Sequence, residues 1–409
     1  MKEKDHKETT IEENKEPVTL DKNKIDQVLD SFIREQEQAK EREIKRQESI
    51  EKQKRARKMA RALSFASLAL FVLIIIALNP STQKYYKNYK QSQIPREEYL
   101  IEYNYSPGME ILPMGENILL YDSNNLRVLR KNGEEVFDIP FNIGSWDLAS
   151  SDKNIYLLDK IENILYFIDE SGSFISKAEL NNIPHRLYSG KSGNLALHYK
   201  SESGVEGVSI FDKSGKALAD TTYPKTTITM VHVGDDNRVT VHGMHRTASV
   251  MENSVYRYSD KGNLIFSKAY EDVVFIRQYE DKSSIAYVDV NKVQFYNKNI
   301  NEDENAVSSI IPSKLMAFDP DDSLLYLLDK RHRLRILDMQ GNLVKERHFQ
   351  TEYENLIIYK GEMLLVGDDF IRTSSRDIKM NKNIEDLFIL GDYLVIATKG
   401  ELKLINKLD

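Results

Sequence analysis

The chain has 409 residues, 41% of them apolar, which leaves room for two or three domains or for one large repeat array with a sizeable core. It contains no cysteine, which excludes disulfides, thiolate zinc sites, iron–sulfur ligation and cysteine nucleophiles. Residues 79–409 hold 40 basic against 49 acidic side chains. This balance argues against a nucleic-acid partner, because neutralising phosphates needs a basic face.

The N-terminal arm is charged and polar. Residues 1–20 show no hydrophobic period, so we expect them to be disordered. Residues 21–61 contain neither glycine nor proline and are rich in good helix formers, which predicts a charged cytoplasmic helix. Its one apolar stripe, at helical spacing, consists of Ile25, Val28, Leu29, Phe32 and Ile33.

This stripe has nothing else in the arm to pack against. We interpret residues 21–50 as a docking segment for a cytoplasmic protein, or for a second copy of the chain in a homodimer. A helix that lies on the membrane surface without a specific partner is the alternative. The stripe lapses after Ile33, so a sustained coiled coil is not predicted.

Residues 62–78, "ALSFASLALFVLIIIAL", form a run of 17 residues without a charge, which predicts one transmembrane helix. Six basic residues and no acidic one lie between positions 52 and 61, whereas basic residues are sparser after the run. The positive-inside rule therefore places the N-terminus in the cytoplasm and the C-terminal part outside the membrane. A cleaved signal peptide is disfavoured, because 61 residues precede the run.

Residues 79–97 are a linker, and short alternating runs begin after it. One pattern, an apolar run closed by a polar or small residue, recurs eight times. The copies read "NILLYD", "NIYLLD", "NLALHY", "RVTVHG", "SIAYVD", "LLYLLD", "MLLVGD" and "YLVIAT". A second pattern follows five of the copies and ends in a turn glycine, where a hairpin needs positive φ. These glycines are Gly133, Gly172, Gly215, Gly262 and Gly341.

A period of about 40 residues with short alternating strands is typical of a β-propeller. We therefore expect residues 98–409 to form an all-β propeller of eight four-stranded blades. Seven blades are the alternative, because the last interval is only 30 residues long. The eighth copy has three strands of its own, so "EYLIEYN", Glu98–Asn104, is predicted to be the outer strand of the last blade and to close the ring.

The repeat resembles the bacterial propellers of the PQQ-like and WD40-like families, particularly single-pass envelope proteins that join a charged cytoplasmic arm to a propeller. The turn "FDPDDSLLY" is similar to the Ser-Pro-Asp-Gly turn of such repeats, with Asp319 and Asp322 at its outer positions. The single tryptophan, Trp146, departs from the tryptophan motifs that these families repeat in each blade. The resemblance implies a fold and little about activity.

Candidate binding residues lie in the loops between the second and third strands, which open on one common face. The fourth copy has the longest such segment, Gly243–Ser254, with His245 and Arg246 in it. The sixth copy has a basic one, consisting of Lys330, Arg331, His332 and Arg333. Solvated loop tips without a role are the alternative. His232, His242 and His245 do not form a predicted metal site, and no cofactor is expected.

The sequence thus favours a non-enzymatic, membrane-anchored scaffold of the bacterial cell envelope. The propeller would bind an envelope protein or an anionic wall polymer outside, and the helix would bind a partner inside. Cell-wall, division or secretion machinery would be the setting. A transmembrane sensor with a ligand-binding propeller is the alternative, and a propeller hydrolase or lyase is disfavoured because no catalytic set emerges.

Overall fold

The computed structural model describes residues 51, 52, 54, 55, 58–60, 63, 67, 70, 71, 79, 97–247, 250–298, 304–308, 315–329, 331–350, 352–374 and 376–408. The chain divides into two compact units, 1–95 and 96–409. In the first unit the described residues from 51 to 71 are helical and exposed. No helix in the described part of the chain is both long and apolar enough to cross a membrane.

Two predictions fall on residues that the structure does not describe. Most of the apolar run 62–78 lies outside the described residues, as do residues 1–50 with the whole apolar stripe. The membrane span and the cytoplasmic docking helix therefore stay predictions.

The second unit is all β-structure. Its first sixteen strands are β1 (Glu98–Glu102), β2 (Glu110–Met114), β3 (Asn117–Tyr121), β4 (Asn125–Arg130), β5 (Glu135–Pro140), β6 (Trp146–Ser150), β7 (Asn154–Asp159), β8 (Ile164–Asp169), β9 (Phe174–Glu179), β10 (Ile183–Ser189), β11 (Leu195–Lys200), β12 (Glu206–Phe211), β13 (Ala217–Tyr223), β14 (Thr227–Val233), β15 (Val239–Thr247) and β16 (Val250–Tyr258). The next sixteen are β17 (Leu264–Glu271), β18 (Phe275–Glu280), β19 (Ser284–Asp289), β20 (Val293–Asn297), β21 (Glu304–Ser308), β22 (Leu315–Asp319), β23 (Leu324–Leu328), β24 (Arg333–Asp338), β25 (Leu343–His348), β26 (Asn355–Tyr359), β27 (Glu362–Val366), β28 (Phe370–Arg372), β29 (Asp377–Lys379), β30 (Ile384–Leu390), β31 (Tyr393–Thr398) and β32 (Glu401–Ile405).

These strands form eight antiparallel four-stranded sheets, so the eight-bladed prediction is confirmed and seven blades are excluded. Blades 1 to 7 take their strands in chain order, from β2–β5 to β26–β29. We name the strands of each blade A to D, starting from the central channel. The eight repeated sequence copies are the B strands, from β3 to β31.

Blade 8 closes the ring in the way that the sequence predicts. It consists of β30, β31, β32 and, as strand D, β1 from the start of the unit. Glu98 pairs with Ile405 and Glu102 with Glu401. The backbone nitrogen of Glu97 donates to Asn406 Oδ1 at 2.9 Å, and the Tyr393 hydroxyl donates to the Glu97 carboxylate. The two ends of the propeller are therefore held together by backbone pairing and by side chains.

The core consists of eight apolar clusters, one at each boundary between neighbouring blades. Alternation along the B strands divides the side chains between two boundaries. On β7, for example, Ile155 and Leu157 pack toward blade 1, whereas Tyr156 and Leu158 pack toward blade 3. Both faces of each sheet are thus buried, which is why the B strands read as nearly continuous apolar runs.

The turn glycines serve a second purpose besides positive φ. All five have φ between 79° and 87°, as the sequence predicts. At Gly262 a Cβ atom would also lie 2.8 Å from the backbone carbonyl of Leu218 in the preceding blade. At Gly172 it would meet the ring of Phe137 at 2.8 Å. The C–D turns therefore contact the previous outer strand closely, and a side chain would separate the blades.

The prediction of a long loop in the fourth copy is wrong. Instead of a loop over Gly243–Ser254, strands β15 and β16 continue as a hairpin of nine paired positions, from Val239↔Tyr258 to Thr247↔Val250. Its outer end extends past the pairing of β14 and β17 with this blade. The apolar residues Val250 and Met251 continue the strand pattern, so antiparallel pairing outcompetes an irregular loop.

Candidate functional site

The two faces of the ring differ in their turns. One face, the B–C face, carries the turns between strands B and C, and the opposite one, the A–B face, carries the turns between A and B. Strand A of each blade lines the channel and begins at the B–C face. The sequence-predicted propeller residues that the structure describes all lie on the B–C face.

His245 and Arg246 lie on the outer end of β15. His245 Nε2 is 2.8 Å from Glu252 Oε2 on the facing strand, and both side chains are half-buried. Arg246, by contrast, is exposed. His245 thus holds the two strands of the hairpin together, whereas the side chain of Arg246 is accessible to solvent.

The basic turn of blade 6 is built around Asp329. Its Oδ1 accepts hydrogen bonds from the backbone nitrogens of Arg331 and Arg333, at 2.8 and 3.0 Å, and its Oδ2 accepts one from Arg333 Nε at 2.8 Å. Burial raises the pKa of Asp329, but these donors outweigh it and the pKa is lowered. His332 has a positive φ of 57°. Arg333 is therefore structural, Arg331 is exposed, and Lys330 lies outside the described residues.

The remaining two histidines of blade 4, His232 and His242, lie at the boundary of blades 4 and 5. His242 is fully buried, with Nε2 3.0 Å from Gln278 Oε1. His232 Nε2 lies 3.8 Å from Glu280, which also pairs with Lys298 at 3.2 Å. Across the described residues no group of three or more metal-ligating side chains of the His, Cys, Asp or Glu type comes together.

The A strands contribute a ring of eight equivalent residues at the channel opening on the B–C face, which we call the mouth ring. Each one pairs with the equivalent residue near the end of its B strand, and each is followed by a buried residue that packs between blades. In blade order the mouth ring is Glu110, Asp147, Arg186, Met230, Arg277, Leu315, Asn355 and Asp386.

The mouth ring is divided by charge. Its three carboxyl groups lie on consecutive blades, with Asp386 on blade 8, Glu110 on blade 1 and Asp147 on blade 2. Its two guanidinium groups follow on blades 3 and 5, with Met230 between them. The remaining two blades contribute neutral residues. The channel opening therefore has an acidic half and a basic half.

All three carboxyl groups have a raised pKa, and the main cause is the loss of hydration beside the channel wall. For Glu110 the neighbouring Asp147 raises the pKa further, while Lys160 and Arg186 oppose the shift. Carboxyl groups with a perturbed pKa are enriched at functional sites.

Asp147 also has a structural contact. Its Oδ2 accepts a hydrogen bond from the Leu187 backbone nitrogen of blade 3 at 2.6 Å. No described basic side chain lies within ion-pair distance of either Asp147 or Glu110. Glu110 and Asp147 therefore interact electrostatically with Arg186 at a distance and form no ion pair with its guanidinium.

Four of the A strands contain a β-bulge just before the mouth ring. The inserted residues are His185, Thr229, Ile276 and Glu385, and all four are exposed. A bulge adds one residue and turns its side chain away from the regular pleat. The bulges thus add a second set of accessible side chains to the opening on blades 3, 4, 5 and 8.

On blade 3 the inserted residue is joined to its neighbours. The ring of His185 stacks on that of His198, with centroids 5.3 Å apart. His198 Nε2 lies 3.2 Å from Glu206 Oε2, and the same oxygen accepts a hydrogen bond from the Ile228 backbone nitrogen of blade 4 at 2.6 Å. Ring stacking and hydrogen bonds therefore connect His185 at the opening to the backbone of blade 4.

Six exposed large apolar side chains lie on the same face as the mouth ring. Apart from the outer strands and Ile389 at the far end of a channel strand, the propeller residues of this kind are Tyr105, Ile161, Ile183, Met251, Ile276 and Val290. All six lie in B–C turns, in the connection that precedes β2, in the protruding hairpin or at the start of an A strand. The described A–B turns contribute none. Near the opposite face, Ile389 and the first residues of three outer strands are also exposed, namely Phe174, Ile175, Leu264, Ile265, Leu343 and Val344.

Sequence reasoning missed the mouth ring. The repeated glycines show where the outer strands of each copy correspond. The A strands carry bulges in only half of the blades, so equal spacing in the sequence does not identify equivalent A-strand residues. One signal was present: "HRLY" and "IRQY" both place a tyrosine two residues after an arginine, at Tyr188 and Tyr279. Counting back from the B strands to the A strands would have identified the equivalent positions of the two arginines.

Comparison with known proteins places the chain in a family. A family model matches residues 83–405, which is most of the chain and includes all the strands. The chain belongs to DUF5711, a family of unknown function. No curated protein sequence matches it.

Several solved structures share the fold of this DUF5711 chain. Sqt1 from Saccharomyces cerevisiae aligns with a TM-score of 0.54 at 9% identity, over 76% of this chain and 98% of that one. BamB from Moraxella catarrhalis aligns with a TM-score of 0.52 at 9% identity, over 75% and 99%. The computationally designed protein Ika8 aligns with a TM-score of 0.52 at 11% identity, over 76% and 99%. At these identities the likeness shows the propeller fold alone.

Proposed function

We propose that this DUF5711 protein is a non-enzymatic, membrane-anchored scaffold whose propeller binds a protein partner through its B–C face. The observation that carries the proposal is the mouth ring with its two arginines, Arg186 and Arg277, together with six exposed apolar side chains on the same face. Apolar, aromatic and arginine side chains together are what protein interfaces favour over the rest of a surface.

The membrane anchor in this proposal is the run 62–78. Four of its residues are described, and the three apolar ones, Leu63, Leu70 and Phe71, are helical and 60–66% exposed. Large apolar side chains exposed on a helix are costly in water and favourable in lipid. With basic residues before the run, the helix at residues 21–50 would lie in the cytoplasm and the propeller outside it. The chain would then link a partner inside the cell to one outside.

A photo-crosslinking amino acid placed in the full chain in living cells tests the proposal. Positions Ile161 and Ile276 report on the B–C face, and Asp235 in an A–B turn is the matched control. We expect crosslinks to a distinct protein from the first two positions and none from the third. Equal crosslinking from all three positions, or none from any, would contradict the proposed binding face.

The link across the membrane has a test of its own. Captured proteins are compared between the full chain, a chain without residues 1–50 and a chain without residues 98–409. Each deletion should remove a different associated protein. If neither deletion removes one, the linking role is wrong. Accessibility of Lys191 and Lys261 to a membrane-impermeant amine reagent in intact cells checks the orientation, since both lie in propeller turns.

A further inference from the structure

We propose that the basic half of the mouth ring, Arg186 and Arg277 with Met230 between them, binds an acidic peptide segment of the partner protein, with a side-chain carboxylate seated on the two guanidinium groups. This inference rests on the proposed function, because it specifies what the B–C face recognises.

The two arginines occupy the same structural position. Arg186 pairs with His198 and Arg277 with Val288, and each comes directly after a β-bulge in its A strand. A tyrosine follows two residues later on the same side of the strand, Tyr188 in one blade and Tyr279 in the other. Two arginines at equivalent strand positions, separated by a single blade, therefore lie at the same opening.

Neither guanidinium group is paired with a carboxylate of the described residues, and that of Arg277 lies near the Tyr279 hydroxyl. Arg186 and Arg277 are both exposed. Arg186 lies over the ring of Tyr188, at 5.6 Å from its centroid. Stacking on an aromatic ring holds a guanidinium plane in position while its donors stay free. Such a fork matches the planar geometry of a carboxylate.

The surroundings require an apolar neighbour beside the carboxylate. Met230 lies between the two arginines in the ring, and Ile183 and Ile276 flank them with 53% and 41% of their surface exposed. A free inorganic anion or a sugar would leave these side chains uncovered. A peptide that carries an aspartate or glutamate next to apolar residues would cover them and would gain hydrophobic free energy in addition to the ion pairs.

The opposite half of the mouth ring disfavours a polyanion. Glu110, Asp147 and Asp386 place three carboxyl groups on the three consecutive blades that precede Arg186, against two guanidinium groups. A chain of phosphates that passes the opening would meet these carboxylates and be repelled. A peptide with one carboxylate can approach the basic half alone. We therefore favour an acidic peptide over an anionic wall polymer as the ligand of this site.

Peptide selection on the purified full-length chain tests the inference. Phage-displayed random peptides of about twelve residues are selected on the wild type, on the double variant Arg186→Ala/Arg277→Ala and on Arg347→Ala. Arg347 is the matched control, because it is an exposed arginine on the outer strand β25, outside the mouth ring. We expect the wild type and the control to enrich peptides that contain Asp or Glu beside apolar residues, and the double variant to lose this enrichment.

The best selected peptide is then synthesised and titrated by fluorescence polarisation. The loss of two charge-assisted contacts predicts a dissociation constant at least about tenfold weaker for the double variant and within about twofold of wild type for Arg347→Ala. Changing the acidic residue of the peptide to its amide should weaken binding to the wild type to a similar extent. Equal melting temperatures show that the variants fold.

Three results would overturn the inference: selected peptides without an excess of acidic residues, equal affinity of the wild type and the double variant, or displacement of the peptide by inorganic polyphosphate beyond the effect of salt at the same ionic strength. The last result would assign the site to a polyanion. Failure here is separate from failure of the proposed function, since crosslinks from Ile161 and Ile276 would remain.

Discussion

Asn194 of blade 3 donates two hydrogen bonds to Asn237 of blade 4 across the boundary between their blades. The Asn194 backbone nitrogen donates to Asn237 Oδ1 at 3.0 Å, and Asn194 Nδ2 donates to the Asn237 carbonyl at 3.1 Å. The same Nδ2 donates to the Asp260 carbonyl at 3.0 Å. Asn194 is buried, so this one amide ties an A–B turn of one blade to two turns of the next. Side chains of this kind set how neighbouring blades align.

Replacing Asn194 by alanine should destabilise the propeller. The variant loses two donated hydrogen bonds to carbonyls in a partly buried place, which predicts a loss of about 2 kcal/mol of unfolding free energy. Denaturant unfolding, followed by tryptophan fluorescence of Trp146, measures this loss. Asn181→Ala, an exposed asparagine in a connection between blades, is the control and should change little. Equal effects of the two substitutions would contradict the assigned role.

Gly262 and Gly361 separate the cost of positive φ from the cost of close packing. Their φ angles are 79° and 74°, but a Cβ at Gly262 would meet the Leu218 carbonyl at 2.8 Å, whereas Gly361 has no atom within 4 Å. Gly361→Ala should cost about 1 kcal/mol from backbone strain. Gly262→Ala adds a clash and should cost about 3 kcal/mol. Thermal unfolding compares them, and similar melting temperatures would show that the blades can move apart freely.

His242 predicts a loss of stability on acidification. Burial lowers its pKa from 6.5 to about 4, and the nearby positive charges of His232 and Arg257 act in the same direction. Between these two values the unfolded chain binds a proton that the folded chain does not, so stability decreases as the pH falls from 6.5 to 4. Removing this group should recover roughly 3 kcal/mol at the acidic end of the range.

The measurement is the unfolding free energy as a function of pH for the wild type and His242→Gln. Glutamine keeps an amide next to Gln278, and His348→Gln, at an exposed position in β25, is the control. We expect a flatter profile for His242→Gln only. Parallel profiles for all three proteins would mean that His242 is protonated in the folded chain as readily as in the unfolded one.

Asp386 and Asp377 should respond to neutralisation in opposite directions. The channel wall raises the pKa of Asp386, so the ionised carboxylate is disfavoured in the folded state. This group stabilises the fold below its ordinary pKa and loses that effect as the pH rises. The Arg372 guanidinium lowers the pKa of Asp377, so its stabilising effect is present above its ordinary pKa and is lost on acidification.

At neutral pH we therefore expect Asp386→Asn to raise the melting temperature and Asp377→Asn to lower it. Both differences should shrink as the pH falls below the ordinary pKa of an aspartate. The Leu387 backbone nitrogen can still donate to the Oδ1 of an asparagine at position 386, as it does to Asp386 at 2.7 Å. Shifts of the same sign would show that the mouth ring does not strain its carboxyl groups.

The strands and the closure of the ring could be predicted from local pattern. The eight B strands are buried on both faces, so each is an apolar run that stands out between polar turns, and the turn glycines mark the C–D hairpins because positive φ favours glycine. The assignment of Glu98–Glu102 to blade 8 follows from counting, since three strands remained without a fourth. These features depend on a few adjacent residues or on the number of strands.

The binding surface could not be predicted in the same way. The long segment of blade 4 was interpreted as a loop, because its length was visible and its pairing partner across the hairpin was not. Arg333 was grouped with free basic residues, although Asp329 holds it. The mouth ring collects one residue from each of eight blades, about 40 positions apart, and bulges change the local spacing.

Sequence alone determined that this protein has an eight-fold repeat of short strands, one long uncharged apolar run and no cysteine chemistry. Each of these properties depends only on neighbouring residues or on composition. Only the tertiary structure decided which side chains share the channel opening and which cations lack an ion-pair partner. Glu110 and Asp386 lie close in the ring because the closing strand joins the two ends of the propeller, and such a contact between distant residues leaves no local trace.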